Sequence, residues 1–419
     1  MENRMPELGI IADDLTGAMD TASEVATRGY ETVVVAIPDA SPPDGTVVAV
    51  NTDSRYLPPS NAAESVERSV KAVGASVVYK KIDSTLRGNI GAEVAAALRA
   101  TVAELAVVAP AFPATGRRTW NGIHEVDRTP IGETEFAADR NDPSSSAVID
   151  LFAEQNFPTE RVEGTDVSNG ADRVAERFSA AVTQNNRPPI VVCDARTTAH
   201  LQTIAAAGAQ FDALFVGSGG LAAHLRLDTS TDTSPTVPRT KPGNPLAIVG
   251  SVSETTLEQL TQIPDAQLFH LDPHSLLDGA TDEAADIAGR LDRGVPTVLT
   301  AASDRSTVED TLSVGRDRGL SEAEIGNRIA TGLATVAGNA CRITRPSGLF
   351  VTGGEVAVAV LRALEATTVS LTGATVEDGI PLGQLVDGVV PDVPLITKAG
   401  GFGDETTISN CLDMLDDEQ

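Results

Sequence analysis

Short β-branched apolar runs alternate with Ala-rich stretches along most of the chain. GIIA, ETVVVAI, TVVAVN, SVVYKK, ELAVVAP, PPIVVCD and FDALFVG read as strands, because each is a brief apolar run bounded by turn residues. NAAESVERSVKAVG and GAEVAAALRATV between them read as helices. The same pattern resumes later in NPLAIVGSVSETTLEQL, GVPTVLTA, SGLFVTGGEVAVAVLRAL and PLITKAGGFGDETTI, with SEAEIGNRIATGLATVAGNA as a long helix. Strand and helix in alternation predict an α/β protein with mainly parallel sheets covered on both faces.

The two series are separated by DTSTDTSPTVPRTKPGNP, Asp228 to Pro245, which has turn and linker composition and almost no large apolar residue. This predicts two α/β domains, residues 1–228 and 246–419, joined by a linker at 229–245, with a cleft between them. A chain of 419 residues suits two domains.

Charge changes the picture. The formal net charge is -28, and the lysines are only Lys71, Lys80, Lys81, Lys241 and Lys398. The carboxylates are dispersed along the chain, which fits a surface solvated for concentrated salt, where self-repulsion is screened within a few ångströms. We read a halophilic cytoplasmic protein; binding of nucleic acid through a basic surface is not expected. No apolar run approaches the roughly 18 residues of a membrane span, and no secretory pattern opens the chain. Cys193, Cys341 and Cys411 are scattered and suggest a reducing compartment without a disulfide framework. His270 and His274 are the one pair at metal-ligand spacing, but the proline between them breaks the helix such a pair needs. No protein metal site is expected.

The polar clusters fall where strands are predicted to end. Asp13 and Asp14 close the first strand; Asp53, Ser54 and Arg55 follow the third. Lys81, Asp83, Ser84 and Arg87 follow the next, and Arg117 and Thr119 follow AFPATG. Carboxylates accept hydrogen bonds from sugar hydroxyls, while Arg and Lys clamp a carboxylate or phosphate, so such a set suits a small polyhydroxy acid. Local ion pairs and a helix cap at Asp14 are the alternative. In the second half GSVSETT, TGGEVAVAV and KAGGFGDETT each leave a strand and enter a helix. Their glycines and free N–H groups suit a nucleotide phosphate, although none is a GxxxxGK[ST] loop or a GxGxxG fingerprint. Asp404 stands just past the last glycine loop. It could orient a hydroxyl or serve only as a helix N-terminal charge.

ADDLTGAMDTA, NTDSR, KKIDSTLRGNIGAE, APAFPATGRRTWNG and GSGGLAAHL, then GSVSETT, VTGGEVAVAV and KAGGFGDE, occur in that order from about Gly9 to about Ile408. In this the chain resembles the four-carbon acid sugar kinase family. The resemblance implies ATP-dependent phosphorylation of threonate, erythronate or 3-oxo-tetronate at the terminal hydroxyl. It implies a sugar-acid-binding N-terminal domain, with Asp13, Asp14, Lys81, Asp83, Ser84 and Arg87 in the substrate site; Asp53, Arg55 and Arg117 join them on their strand-end positions. It also implies a nucleotide-binding C-terminal domain in which Ser251, Ser253, Gly353, Gly354, Glu355 and Gly401, with Gly400 of the same loop, contact ATP, and Mg²⁺ bridges its phosphates. Asp14, Asp404 and Arg87 are the candidate catalytic side chains. Two positions depart from the family's usual pattern: Ala399 replaces a serine and Val356 a threonine. The other readings are a sensor that binds both ligands without turnover and a hydroxy-acid oxidoreductase. Which acid is used, and whether the chain forms a homo-oligomer, stay open at this level.

Overall fold

The computed structural model describes residues 5–138, 145–228, 242–279, 282–377 and 379–416. Residues 229–241 of the expected linker lie outside the described residues. The chain forms two compact units, Met1–Thr233 and Ser234–Gln419.

The strands of the N-terminal unit are β1 (Leu8–Ala12), β2 (Thr32–Val35), β3 (Val47–Asn51), β4 (Val77–Lys81), β5 (Leu105–Ala109), β6 (Arg117–Trp120), β7 (Ile123–Val126), β8 (Thr129–Pro130), β9 (Thr159–Val162), β10 (Ile190–Cys193) and β11 (Ala213–Gly217). Its main sheet runs β2-β3-β1-β4-β11-β5-β10-β9, and every described pairing in it is parallel. Parallel strands are covered on both faces, which is why they read as continuous apolar runs. All five residues of β1 and of β5 are buried. The chain leaves β1, fills β3 and β2 on one side, then returns to β4 on the other. Beyond the carboxyl ends of β1 and β4 there is thus a topological switch point, where ligands of open α/β sheets bind.

In the C-terminal unit the strands are β12 (Leu246–Val249), β13 (Leu268–His270), β14 (Thr297–Thr300), β15 (Leu349–Thr352), β16 (Thr368–Glu377), β17 (Ile380–Leu385) and β18 (Pro394–Lys398). They run β13-β14-β12-β15-β18-β17-β16. The first five are parallel and the last two pairings antiparallel. The switch point recurs here, between β12 and β15. Its core gathers Val249, Phe350, Ile396 and Leu412 among others.

Two antiparallel elements have no counterpart in the periodicity reading. The β6-β7-β8 sheet opens with RRTW, which lacks apolar alternation. It is held instead by backbone bonds between Thr119 and Ala195 and between His124 and Ser146. The β16–β17 hairpin shifts register after Leu371, near Gly373, whose φ of 74° suits only glycine without strain.

Candidate active site

β4 shows how the N-terminal site is built. Its period of two puts Tyr79 and Lys81 on one face and Lys80 on the other. Lys80 enters the core, where its Nζ lies 2.9 Å from Glu93 Oε2 with both side chains fully enclosed. Glu93 also accepts from Ser54 Oγ at 2.6 Å, and Lys80 donates to the carbonyls of Ile11 and Lys81. The adjacent β1, β3 and β4 ends are thereby bolted to the helix Ile90–Ala100.

At the carboxyl ends of the same strands one guanidinium gathers three carboxylates. Arg55 donates from Nε to Asp13 Oδ2 at 2.7 Å and from Nη2 to Asp13 Oδ1 at 3.0 Å. Its Nη2 also lies 2.9 Å from Asp14 Oδ1 and 3.6 Å from Asp83 Oδ1. Burial pushes the Asp13 carboxyl up, but Arg55 outweighs it and leaves that carboxyl below its ordinary range. The same opposition holds Asp83 well down, with Arg55 and Arg87 as its cations. Arg87 donates to Asp83 from Nε at 2.8 Å and Nη2 at 3.1 Å, and Thr85 Oγ1 donates to it as well.

The backbone of this loop is forced into shape around the carboxylates. Leu86, buried, has φ 60°, an uncommon conformation for a bulky residue, of the kind concentrated at functional loops. Gly88 follows at φ 93°, and a Cβ there would come 3.2 Å from Asp13 Oδ2.

Asp14 is the N-cap of the helix Leu15–Ala26, accepting from Gly17 N at 2.9 Å. Lys81 is different from its neighbours. It is 4% exposed, lies in the field of Asp13, Asp20 and Asp83, and its ammonium forms no hydrogen bond or ion pair with a described residue. Asp53 is exposed, with φ 49°, and lines a hollow of about 260 Å³ with Asp39, Asn61, Glu64 and Arg68. Ser84 is half-buried, and its carbonyl is 3.0 Å from His124 Nε2. His124 is buried, held also by Thr119 Oγ1 at 2.9 Å; burial pushes its ring down to about 4, so it is neutral at pH 7. Arg117, half-buried on β6, bonds the Thr115 carbonyl.

So Asp13, Asp14, Arg55, Asp83 and Arg87 form one network, and the local ion pairs and helix cap weighed in the sequence are present. Asp20, half-buried on the capped helix, belongs with them; it lies within ADDLTGAMDTA but is not among the expected site residues. The GSGG turn after β11 is packed rather than open: a Cβ on Gly220 would meet the Ala111 carbonyl at 2.8 Å.

The C-terminal unit brings its three turns together at the ends of β12, β15 and β18. Ser253 Oγ donates to the Gly400 carbonyl at 2.7 Å and Thr256 Oγ1 to the same carbonyl at 2.9 Å. Ser253 Oγ also caps the helix Glu254–Leu260. A Cβ on Gly400 would strike Ser251 Oγ at 2.2 Å, so only glycine permits this approach. Lys398, buried, donates to the carbonyls of Ala399, Gly400 and Phe402 at 3.1, 3.2 and 3.1 Å. Burial pushes its ammonium down to about 8, against the pull of Cys411 and Glu377. Gln259 Nε2 fixes the far side of the loop through Phe402 O and Asp404 O.

Gly353, at φ 99°, starts the helix Gly354–Ala363 without a side-chain cap, which leaves that helix N-terminus for a ligand or water. Glu355 and Gly401 are exposed. Val356 is buried and packs on Gly250, where an added Cβ would meet it at 2.3 Å. Asp404 is exposed; its Oδ1 accepts from Thr406 N and Oγ1, both at 2.8 Å. These bonds hold its carboxyl low, and they are those of a local turn at the start of the final helix.

The three cysteines are buried and unpaired. His274 Nε2 lies 2.9 Å from Asp310, and among the described residues no group of three or more His, Cys, Asp or Glu could hold a metal ion. No helix of the described residues is long and apolar enough to cross a membrane.

Comparison with known proteins gives concordant matches. Residues 8–225 match the family model of a sugar-binding N-terminal domain, and residues 246–408 that of a nucleotide-binding C-terminal domain. The chain is 34% identical to a D-threonate kinase of Salmonella typhimurium, over 96% of this chain and 97% of that one. It is 33% identical to a D-erythronate kinase of Heliobacterium modesticaldum (98% and 97% covered). Against a 3-oxo-tetronate kinase of Methylobacterium radiotolerans the identity is 31% (97% and 99%). Among solved structures, Haemophilus influenzae protein HI1011 aligns with a TM-score of 0.77 at 25% identity, over 97% of this chain and all of that one.

Proposed function

We propose, from the premise that the chain belongs to the four-carbon acid sugar kinase family, that it transfers the γ-phosphoryl of ATP to the terminal hydroxyl of a threonate, an erythronate or a 3-oxo-tetronate. The observation that carries the reading is a pairing of sites within one chain. One switch point presents an ammonium that has no ion-pair partner among the described residues and stands among carboxylates, which suits an acid bearing hydroxyls; the other presents a glycine-led helix start without a side-chain cap, which suits phosphates.

In the N-terminal unit Lys81 takes the carboxylate of the acid, with the Arg87 guanidinium, held on Asp83, adding its positive charge beside it. Asp13, Arg55 and Asp83 act mainly on one another: they hold the loop 83–88 and the Asp14 cap rigid. Ser84 and Arg117 line the same edge, and Asp14 presents its second oxygen to a hydroxyl.

In the C-terminal unit the backbone of Gly353, Gly354, Gly400 and Gly401 approaches the phosphates. Ser251 and Ser253 stand at the end of β12 to support them, and Glu355 stands at the helix start. Backbone N–H groups make these contacts, so Ala399 and Val356, which lack hydroxyls, do not remove them. Mg²⁺ would come with the nucleotide and be held chiefly by its phosphates, as is usual for this ion, and would supply neutralisation of the charge developing there. The fit is supported by the donor chemistry of the loops and by the close glycine approach at Ser251.

The test is ADP release in molar KCl with ATP and Mg²⁺, against D-threonate, L-threonate, D-erythronate and the 3-oxo-tetronates. Strong stimulation by one acid establishes the activity and names the substrate. A flat response across the panel, in folded protein that binds ATP, overturns the transferase reading.

A further inference from the structure

The carboxylates at the N-terminal strand edge are nearly all committed. Asp13 is held by Arg55, Asp83 by Arg55, Arg87 and Thr85, and Glu93 by Lys80 and Ser54. Asp14 divides between its cap and Arg55. A general base needs an oxygen free to receive a proton and an affinity for it near the working pH. Of the carboxylates that face Lys81, Asp14 keeps Oδ2 open but has Oδ1 on both Gly17 N and Arg55; Asp20 is the one whose two oxygens both lack a partner among the described residues, so that no guanidinium holds its proton affinity down.

Asp20 is half-buried, and its carboxylate makes no hydrogen bond or ion pair with a described residue. Its Oδ2 would lie 3.3 Å from a Cβ on Gly219, and Lys81 Nζ would lie 2.9 Å from a Cβ on Gly17. Each charge therefore stands against a glycine, where any side chain would crowd it. The two attract each other without forming an ion pair. A nearly enclosed ammonium with no partner is costly, and a bridging ligand that is anionic at one end and hydroxylic at the other would satisfy both groups.

We propose that Asp20 is the catalytic base of the phosphoryl transfer, accepting the proton of the acceptor hydroxyl while Lys81 holds the carboxylate of the same acid. This rests on the kinase reading above. As the acceptor oxygen bonds to the γ-phosphorus, its O–H bond breaks and the proton passes to an Asp20 oxygen. The bond from that phosphorus to the β,γ-bridging oxygen breaks in the same step, and ADP leaves with the electron pair.

The surroundings support the assignment. Burial raises the Asp20 carboxyl to about 6, with Lys81 opposing and Asp14 adding to the rise. The groups that face it are Lys81 and Tyr79 of β4, with Asp14 and Glu24 of its own helix. The Gly219–Ala222 turn packed against it has no titratable side chain. Tyr79 is kept neutral by burial, and its hydroxyl donates to the Ser218 carbonyl. Asp20 is thus ionised at neutral pH yet basic enough to take a proton.

The test uses the full chain and compares Asp20→Asn and Asp20→Glu with wild type, measuring ADP release with whichever acid stimulates it. Wild-type kcat should fall on the acid side of about pH 6. Asp20→Asn should lower kcat by about 100-fold, the usual scale of a general base, leave both KM values within about threefold, and abolish that acid limb. Asp20→Glu should recover part of kcat and keep a limb. The assignment is overturned if Asp20→Asn keeps the limb, if it changes only KM, or if both variants lose activity equally at every pH. If an acid stimulates wild type and Asp20→Asn is unaffected, only the base assignment falls. If no acid stimulates wild type, the kinase reading falls and this proposal with it.

Discussion

Lys80 Nζ and Glu93 Oε2 lie 2.9 Å apart inside the N-terminal unit, one on a central strand and the other on the helix that covers it. An enclosed ion pair is weak evidence of net stability, because both ions lose their water. Removing one partner alone leaves an uncompensated charge and costs about 3–5 kcal/mol. Lys80→Met and Glu93→Gln should each destabilise the protein on that scale in urea titrations. The double variant Lys80→Met/Glu93→Leu should recover much of the loss. Equal loss in single and double variants would show that packing, not charge, is what the pair supplies.

His124 predicts a pH dependence of stability. Its ring is pushed down to about 4 in the folded protein, against about 6.5 in an unfolded chain. Between those values the unfolded chain binds a proton that the folded protein refuses, so stability falls as pH drops from about 6.5 to 4. The loss from this group is on the order of 3 kcal/mol at its fullest. Thermal melts should show it, and His124→Asn should flatten the slope in that window. Asp20 acts with the opposite sign from about pH 4 to 6, so Asp20→Asn should steepen the same curve.

Gly400→Ala should drive Ser251 and the last glycine loop apart, since the added carbon meets Ser251 Oγ at 2.2 Å. Lys398→Met should act on the same loop by leaving the carbonyls of Ala399, Gly400 and Phe402 without their shared donor. We expect each to weaken ATP binding about tenfold or more in calorimetry, with binding of the acid unchanged. A change in both ligands would mean that the loop also governs the other unit.

Lys81→Met should raise KM for the acid by about tenfold or more, the scale of a lost charge-assisted hydrogen bond, with a smaller effect on KM for ATP. Because Lys81 opposes the rise of the Asp20 carboxyl, the acid limb of kcat should move to higher pH in this variant. An unmoved limb would separate the two residues.

Salt should stabilise this chain. With a net charge of -28, screening relieves self-repulsion, and the Tm should climb from 0.1 to 2 M KCl. A Tm that is flat or falls over that range would remove the halophilic reading.

Much of the architecture was legible because strands buried on both faces announce themselves as β-branched runs. The polar clusters then mark their carboxyl ends, as Asp13, Asp83, Ser251 and Gly353 do. Less was legible where long-range contacts decide a role. Arg55 reads as a clamp for a ligand; that its Nε and Nη2 also engage Asp13, Asp14 and Asp83 depends on the fold and is not visible in the sequence. Asp404 reads equally as a base or a helix charge; that its Oδ1 accepts from Thr406 N and Oγ1 is a local contact the pattern does not reveal. Asp20 looks like one more polar helix position; only the docking of that helix beside β4 and Gly219 distinguishes it. β6 was hidden because RRTW owes its strand to partners rather than to pattern.

The two adjacent lysines of β4 face opposite ways, and that divides what variation can do to them. A one-residue slip of the strand would still place an ammonium on each face, so the lysines cannot specify their own register; Tyr79 and Ile82, both buried, must do so. Lys81 has no single partner that must change with it, although its charge offsets those of Asp13, Asp20 and Asp83. Lys80 cannot drift without Glu93 drifting too. One dipeptide therefore carries a position whose charge is shared among several carboxylates beside one that can change only in concert with a single partner.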